Sequence, residues 1–216
     1  MRLVRNWYPL LEGTGLTAKD MGPANKPGTL SANVAWCPYY GPGGLQLGYK
    51  GVIIAASQSR IVSAAAAGFN AAEGSIEMLV KPSWSYNDGL GHYFWDTYGG
   101  ANKRFYFRKT TANLTNLVTN GVSRGDLDFH WVVGNIYHIV LNWPANELYV
   151  CGSLVKDYDD GDLGDGAADL YIGDRYTTAN QAFNGNIYYF IVRDVPLTQD
   201  EVNYFYEFFM NQYFYE

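Results

Sequence analysis

Three kinds of residue in this 216-residue chain could do chemistry. The first is the carboxylate pair. Hydrolysis of a glycosidic bond needs two carboxyl groups about 5 to 10 Å apart across the bond. On a strand, same-face partners lie at i and i+2 or i+4. Glu77 is the only acid in its segment, and Glu147 has no acid at either spacing. The second is histidine. His92, His130 and His138 are the only ones, and without a Gly-x-Ser-x-Gly elbow no nucleophilic triad takes shape. The third is the acidic loop from Asp157 to Asp169, with six Asp. It lacks EF-hand spacing and the terminal Glu. Six like charges repel, so hydration or a cation must relieve them. Asp159, Asp160 and Asp162 are thus candidates for weak calcium binding, with a solvated loop as the alternative.

Aromatic residues make up 17% of the chain and include 19 Tyr. Tyr has an apolar body and a polar tip, which suits sugar and protein contacts; it is also simply a good strand residue. Trp84, Tyr86, His92, Trp95 and Tyr98 concentrate in one segment and are the candidates for glycan or partner contact. If residues 93–97 form a strand, Tyr93 and Trp95 share one face and Phe94 lies opposite. A core role competes for Trp95. At the C-terminus, Val202, Phe205, Phe209 and Tyr213 follow one helical face, whereas Tyr204, Phe208 and Tyr215 point elsewhere. A helix apolar all round is buried on more than one side. It is either a tail folded back on its own domain or a subunit interface.

The formal net charge is −6 with no basic stripe, which argues against a nucleic-acid surface. A hydrophobic fraction of 48% can build a sizeable core. Two cysteines, Cys37 and Cys151, are too few for a disulfide scaffold, although one bridge stays open. Cys151-Gly152 reads as a hairpin tip that leaves the thiol near solvent. The N-terminus has no apolar run of signal-peptide length, and Ser63 to Gly68 is too short to span a bilayer. The expectation is a chain made in the cytoplasm, with no membrane partner. Asn113-Leu-Thr115 is a formal sequon that reads as coincidence in that setting.

Gly and Pro recur at short intervals, as in many strands joined by turns. Strands are expected over 3–8, 44–47, 51–54, 76–81, 93–97, 104–108, 114–119, 136–143, 147–151, 154–156, 170–173 and 187–192. Thr198 and Glu201 have capping-box spacing, so a helix is expected over 198–211.

The stretch Phe183-Asn-Gly-Asn-Ile-Tyr-Tyr-Phe-Ile-Val, followed by Leu197-Thr198 and Glu201-Val202, resembles the closing strand and helix of laminin-G-like, or concanavalin A-like, jelly-roll domains. Four other pieces, in order, are similar to that family. They are the opening from Tyr8 to Leu30, Ser75-Ile-Glu-Met-Leu-Val-Lys-Pro82, the hairpin from Tyr137 to Gly152, and Leu170-Tyr-Ile-Gly173. Residues 84–133 have no counterpart. The resemblance implies one all-β domain over 1–216, a two-sheet antiparallel jelly-roll sandwich of the concanavalin A-like kind with a short C-terminal helix. It also implies a structural role for His138. Many relatives hold calcium between the opening loop, matched by Asp20 and Asn25, and a closing-strand Asp and Glu. Here Tyr188 and Tyr189 replace that pair, which removes the strongest ligand; no cofactor is required. Hydrolases of this fold carry E-x-D-x-x-E or E-x-D-x-E on one strand, and neither occurs.

These observations lead to a non-catalytic structural or binding module. The first expectation is a virion-associated protein, such as a phage decoration, head-fibre or tail-associated protein, with protein subunits and glycans as partners. The alternative is a lectin-like carbohydrate-binding protein or domain. A glycoside hydrolase comes third.

Overall fold

The computed structural model describes residues 4–40, 46–55, 58–100, 103–164, 169–177 and 181–214. In chain order the strands are β1 (Val4–Tyr8), β2 (Thr17–Ala18), β3 (Gly28–Leu30), β4 (Val34–Tyr40), β5 (Gln46–Ile54), β6 (Ile61–Ser63), β7 (Gly74–Pro82) and β8 (His92–Tyr98). They continue with β9 (Tyr106–Lys109), β10 (Thr115–Thr119), β11 (Val122–Leu127), β12 (Tyr137–Trp143), β13 (Glu147–Val150), β14 (Ser153–Asp157), β15 (Asp169–Ile172) and β16 (Gly185–Arg193). One α-helix, α1 (Gln199–Phe214), closes the chain.

The strands form two antiparallel sheets of eight. The first runs β14-β13-β12-β7-β16-β5-β4, with β1 also paired to β16; the second runs β11-β10-β9-β8-β15-β6-β3-β2. Strand β16 serves two neighbours along one edge. Gly185 to Ile187 pair with β5, and Phe190 to Arg193 pair with β1. This is the two-sheet antiparallel sandwich with one C-terminal helix that the sequence implies, a jelly roll of the concanavalin A-like kind.

The core lies between the sheets. Ile76, Met78 and Val80 of β7, Ile139 and Leu141 of β12, and Phe190 and Val192 of β16 meet Trp95, Phe107, Leu117, Leu170 and Ile172 of the other sheet. Alternation is blurred in β7, β12 and β16 because helix α1 covers their other face. Leu79, Tyr189 and Ile191 pack under Phe209. Val140 and Tyr149 pack with Leu197 and Val202. A strand buried on both faces reads as a nearly continuous apolar run. The helix starts on a capping box. Thr198 N donates to Glu201 Oε2 at 2.9 Å, and Glu201 N donates to Thr198 Oγ1 at 3.4 Å.

Several expectations need correction. Residues 46–47 and 51–54 belong to one strand, β5, in which Gly51 has φ +91° and its backbone runs close to Ile187 of β16, while residues 44 and 45 of the expected strand lie outside the described residues. Strands β2, β3 and β6 are only two or three residues long, and polar β11 has no alternation to reveal it. In β8 a bulge between Tyr93 and Trp95 turns both Phe94 and Trp95 into the core, so Tyr93 and Trp95 do not share a face. Cys37 and Cys151 are free and half-buried, so no bridge joins them, and Cys151-Gly152 forms the expected turn between β13 and β14. Burial pushes both thiols upward in pKa.

Candidate ligand-binding face

The outer face of the second sheet is built by strand alternation. In Arg104-Phe105-Tyr106-Phe107-Arg108 the Phe residues enter the core, and Arg104, Tyr106 and Arg108 therefore face outward. Across the ladder Arg108 stands opposite Tyr93, and Tyr106 stands opposite Asp96. Tyr171 of β15 is the next in the Asp96 row, followed by Val62 of β6. The loop after β15 folds back over this face and brings Tyr176 onto Tyr98, with rings stacked at 3.7 Å and 7°.

Arginines interleave with these rings. The Arg104 guanidinium lies between Tyr106, at 4.4 Å, and Tyr176, at 4.8 Å. Arg108 lies 5.3 Å from Tyr106 and 5.5 Å from Tyr93. Arg175 lies 5.6 Å from Tyr176, and Arg60 lies 5.2 Å from Tyr171. Arg104 also grips Asp96 through two bonds, of 2.7 and 3.2 Å. The Tyr176 amide donates to the same carboxylate at 3.1 Å, which fixes the loop. Arg60 donates to the carbonyls of Arg175 and Thr177. Buried Asp174 accepts the amides of Arg175 and Gln58, at 2.7 and 2.8 Å. Burial raises the pKa of Asp174 to about 6, against the lowering effect of these amides and of Arg60. The face therefore offers the half-buried rings of Tyr98, Tyr106, Tyr171 and Tyr176 with polar tips, set beside a fully buried Tyr93, and several guanidinium donors. That combination covers apolar sugar faces and bonds sugar oxygens.

Of the sequence-level contact candidates, Tyr98 belongs to this face. Trp84, His92 and Trp95 do not, because they are buried at 4%, 3% and 0% exposure. Trp84 stacks flat on His92 at 4.3 Å and bonds the Phe183 carbonyl. His92 opens β8 with its ring nitrogens 2.9 Å from the Ala182 carbonyl and 2.7 Å from Asp88. Fully buried Lys109 pairs with the same Asp88. Trp95 lies in the core between Phe105 and Phe107. Tyr86 is half-buried and stacks on His130 at 4.0 Å, away from the tyrosine face. Sequence reasoning missed Arg60, Arg104, Tyr106, Arg108, Tyr171, Arg175 and Tyr176. The alternation in 104–108 is the signal that carries three of them.

The calcium candidates have the following surroundings. Asp20 is buried, and its two oxygens accept four N–H donors, from Asn6 Nδ2, Lys26 N, Trp7 N and Gly22 N, at 2.6 to 2.9 Å. Its lone pairs are spent in holding the opening loop, and Asn25 is a positive-φ turn residue there. Asp159, Asp160 and Asp162 are exposed. The backbone around them is tied down by Asn146 and Arg124. Asp162 bonds the Gly164 amide in a local turn. Among the described residues no group of three or more His, Cys, Asp or Glu could hold a metal ion. Tyr204 and Phe208 are exposed at 62% and 43% on α1, whereas Tyr215 lies outside the described residues.

A buried ionic cluster sits under α1 on the other sheet. Glu77 Oε1 accepts from His138 Nε2 at 2.8 Å and from the Tyr189 hydroxyl at 3.0 Å, and Arg193 pairs with Oε2. Glu77, His138 and Tyr189 have no exposure and Arg193 has 2%. Burial would raise the Glu77 carboxyl. Arg193 and the hydrogen bonds from His138 and Tyr189 outweigh it and hold the pKa at about 2. His138 thus has the structural role that the resemblance implies.

No protein-family model matches the sequence, and no curated protein is similar to it in sequence. Solved structures share its fold. A mutant of Trypanosoma rangeli sialidase displaying trans-sialidase activity superposes with a TM-score of 0.72 at 12% identity, covering 97% of this chain and 33% of that chain. Trypanosoma rangeli sialidase in complex with sialic acid gives 0.70 at 11% identity, with coverage of 97% and 33%. The ligand-binding domain of Botulinum neurotoxin serotype D in complex with N-acetylneuraminic acid gives 0.66 at 13% identity, with coverage of 91% and 49%. This chain spans about a third of the sialidase chains and about half of the neurotoxin chain. At such identities the likeness is one of fold. It nevertheless overturns the expectation of a chain that is not an enzyme, because the similar chains include sialidases. No helix among the described residues is long and apolar enough to cross a membrane.

Proposed function

We propose that this chain is a carbohydrate-binding module whose contact surface is the outer face of the second sheet. The observation that carries the proposal is the interleaved array in which Arg104 lies between Tyr106 and Tyr176, and Tyr176 stacks on Tyr98. Rings so clamped lose little freedom when a ligand lands on them, and preorganisation of this kind favours binding. The fold supports the proposal, since a neurotoxin domain of similar fold was solved with N-acetylneuraminic acid. A glycan array on the intact chain, beside Tyr176→Ala and Tyr106→Ala, is the test. Binding that both variants lose fits the proposal. Binding that both retain moves the contact elsewhere, and no binding to any glycan removes the reading.

A second reading, a subunit of an assembled particle such as a virion, draws on a different observation. Tyr204 and Phe208 border a groove of about 550 Å³ between α1 and β1, floored by Trp7, Ile191 and Phe209. Exposed apolar patches of this kind mark protein contacts. Sedimentation equilibrium on the chain and on a Tyr204→Ser, Phe208→Ser variant tests it. A monomer at all concentrations, with no affinity for particles, ends this reading.

A further inference from the structure

The chain has a formal net charge of −6, yet four arginines crowd the outer face of the second sheet. Arg104 is neutralised by Asp96. Among the described residues, Arg60, Arg108 and Arg175 form no ion pair. All three are half-buried. Arg108 gives one bond to the Tyr93 hydroxyl, and Arg60 bonds two neutral carbonyls. The Nε atoms of Arg108 and Arg175 are buried without a partner.

The acids on this face already have partners, Asp126 among them through the Asn116 side-chain amide that lies between it and Arg108 in the ladder. Asp96 is held by Arg104 and the Tyr176 amide. Asp169 accepts the Tyr171 hydroxyl. Asp174 is buried against two backbone amides. A guanidinium packed on a ring face keeps only a weak attraction to the ring quadrupole. A carboxylate or sulfate matches its fork and makes charge-assisted bonds roughly twice as strong as neutral ones. The face therefore carries guanidiniums that form no ion pair, beside rings suited to a sugar.

We infer that the sugar taken by this face is anionic, with its carboxylate or sulfate held by the unpaired guanidiniums and its ring by the neighbouring tyrosines. This rests on the glycan-binding reading above. The test is an array that holds sialylated, uronate-bearing and sulfated glycans, each beside its neutral counterpart, probed with the intact chain at low and high ionic strength. The anionic member should bind roughly tenfold tighter at low salt, with the gap narrowing as salt rises. Arg108→Gln and Arg175→Gln should each weaken the anionic glycan by roughly tenfold, a larger loss than for its neutral counterpart. Thermal unfolding checks that both variants remain folded, and Arg175 sits in a loop where substitution spares the core. Whether sialylated, uronate or sulfated members respond identifies the source of the anion. Equal binding of neutral and anionic members, both lost in Tyr176→Ala, overturns the inference and leaves the glycan reading standing. No binding to any member of any pair overturns both.

Discussion

Replacing Glu77 by Gln keeps the shape of a fully buried side chain and removes its charge. A carboxyl held at about 2 in the folded chain, against an ordinary 4.5, contributes about 3 kcal/mol at neutral pH. Breaking a buried pair by removal of one partner costs about 3 to 5 kcal/mol, because the other charge is left uncompensated. Here that charge is Arg193, whose guanidinium lies 4.7 Å from the Phe205 ring of α1 and so cannot swing freely into water. The sign follows from the direction of the shift. The folded-state pKa is depressed, so the contribution is complete above about pH 4.5 and is lost as pH falls towards about 2. Urea unfolding of the chain and of Glu77→Gln should differ by about 3 kcal/mol at pH 7 and by about 1 kcal/mol at pH 3. A difference under about 1 kcal/mol at neutral pH, or one constant across this range, would refute the ionic account of the cluster.

Two further outcomes follow from the geometry. Gly51→Ala forces a side chain onto a backbone at φ +91° with its Cβ against the Ile187 carbonyl oxygen, so it should lower stability by about 2 kcal/mol or more, measured by thermal unfolding. Asp174 should titrate with a midpoint near pH 6 by carboxyl-carbon NMR. Because that pKa is raised, its contribution to stability is complete below about pH 4 and is lost as pH rises towards about 6. A midpoint under about 4.5 would show that the loop carrying Tyr176 does not bury this carboxyl.

Much of the scaffold is visible in the residues themselves. The β7, β12–β13 and β16 segments and the Thr198–Glu201 cap are local signals, each set by propensity, turn chemistry or capping, and the structure contains them all. Strands β2, β3 and β6 escape because two or three residues cannot display a period. The bulge in β8 escapes because one extra residue flips the faces without altering composition. That single event sends Trp95 into the core and leaves Tyr93 on the other side of the sheet, covered by Tyr106 and Arg108, against simple alternation. Trp84 and His92 look like loop residues available to a ligand, yet they form a buried stack closed by Asp88 and Lys109. The candidate face is assembled from β6, β8, β9, β15 and the loop after β15, so no local window contains it. Only the alternation of Arg104, Tyr106 and Arg108 with Phe105 and Phe107 makes part of it legible.

The most direct measurement is NMR chemical-shift mapping on the intact chain, titrated with the tightest-binding glycan from the array. If the account is right, the largest shifts fall on Tyr98, Tyr106, Arg108, Tyr171 and Tyr176, with the rest of the second sheet and all of α1 undisturbed. Shifts confined to the Tyr86–His130 stack or to the groove beside Tyr204 and Phe208 would contradict it.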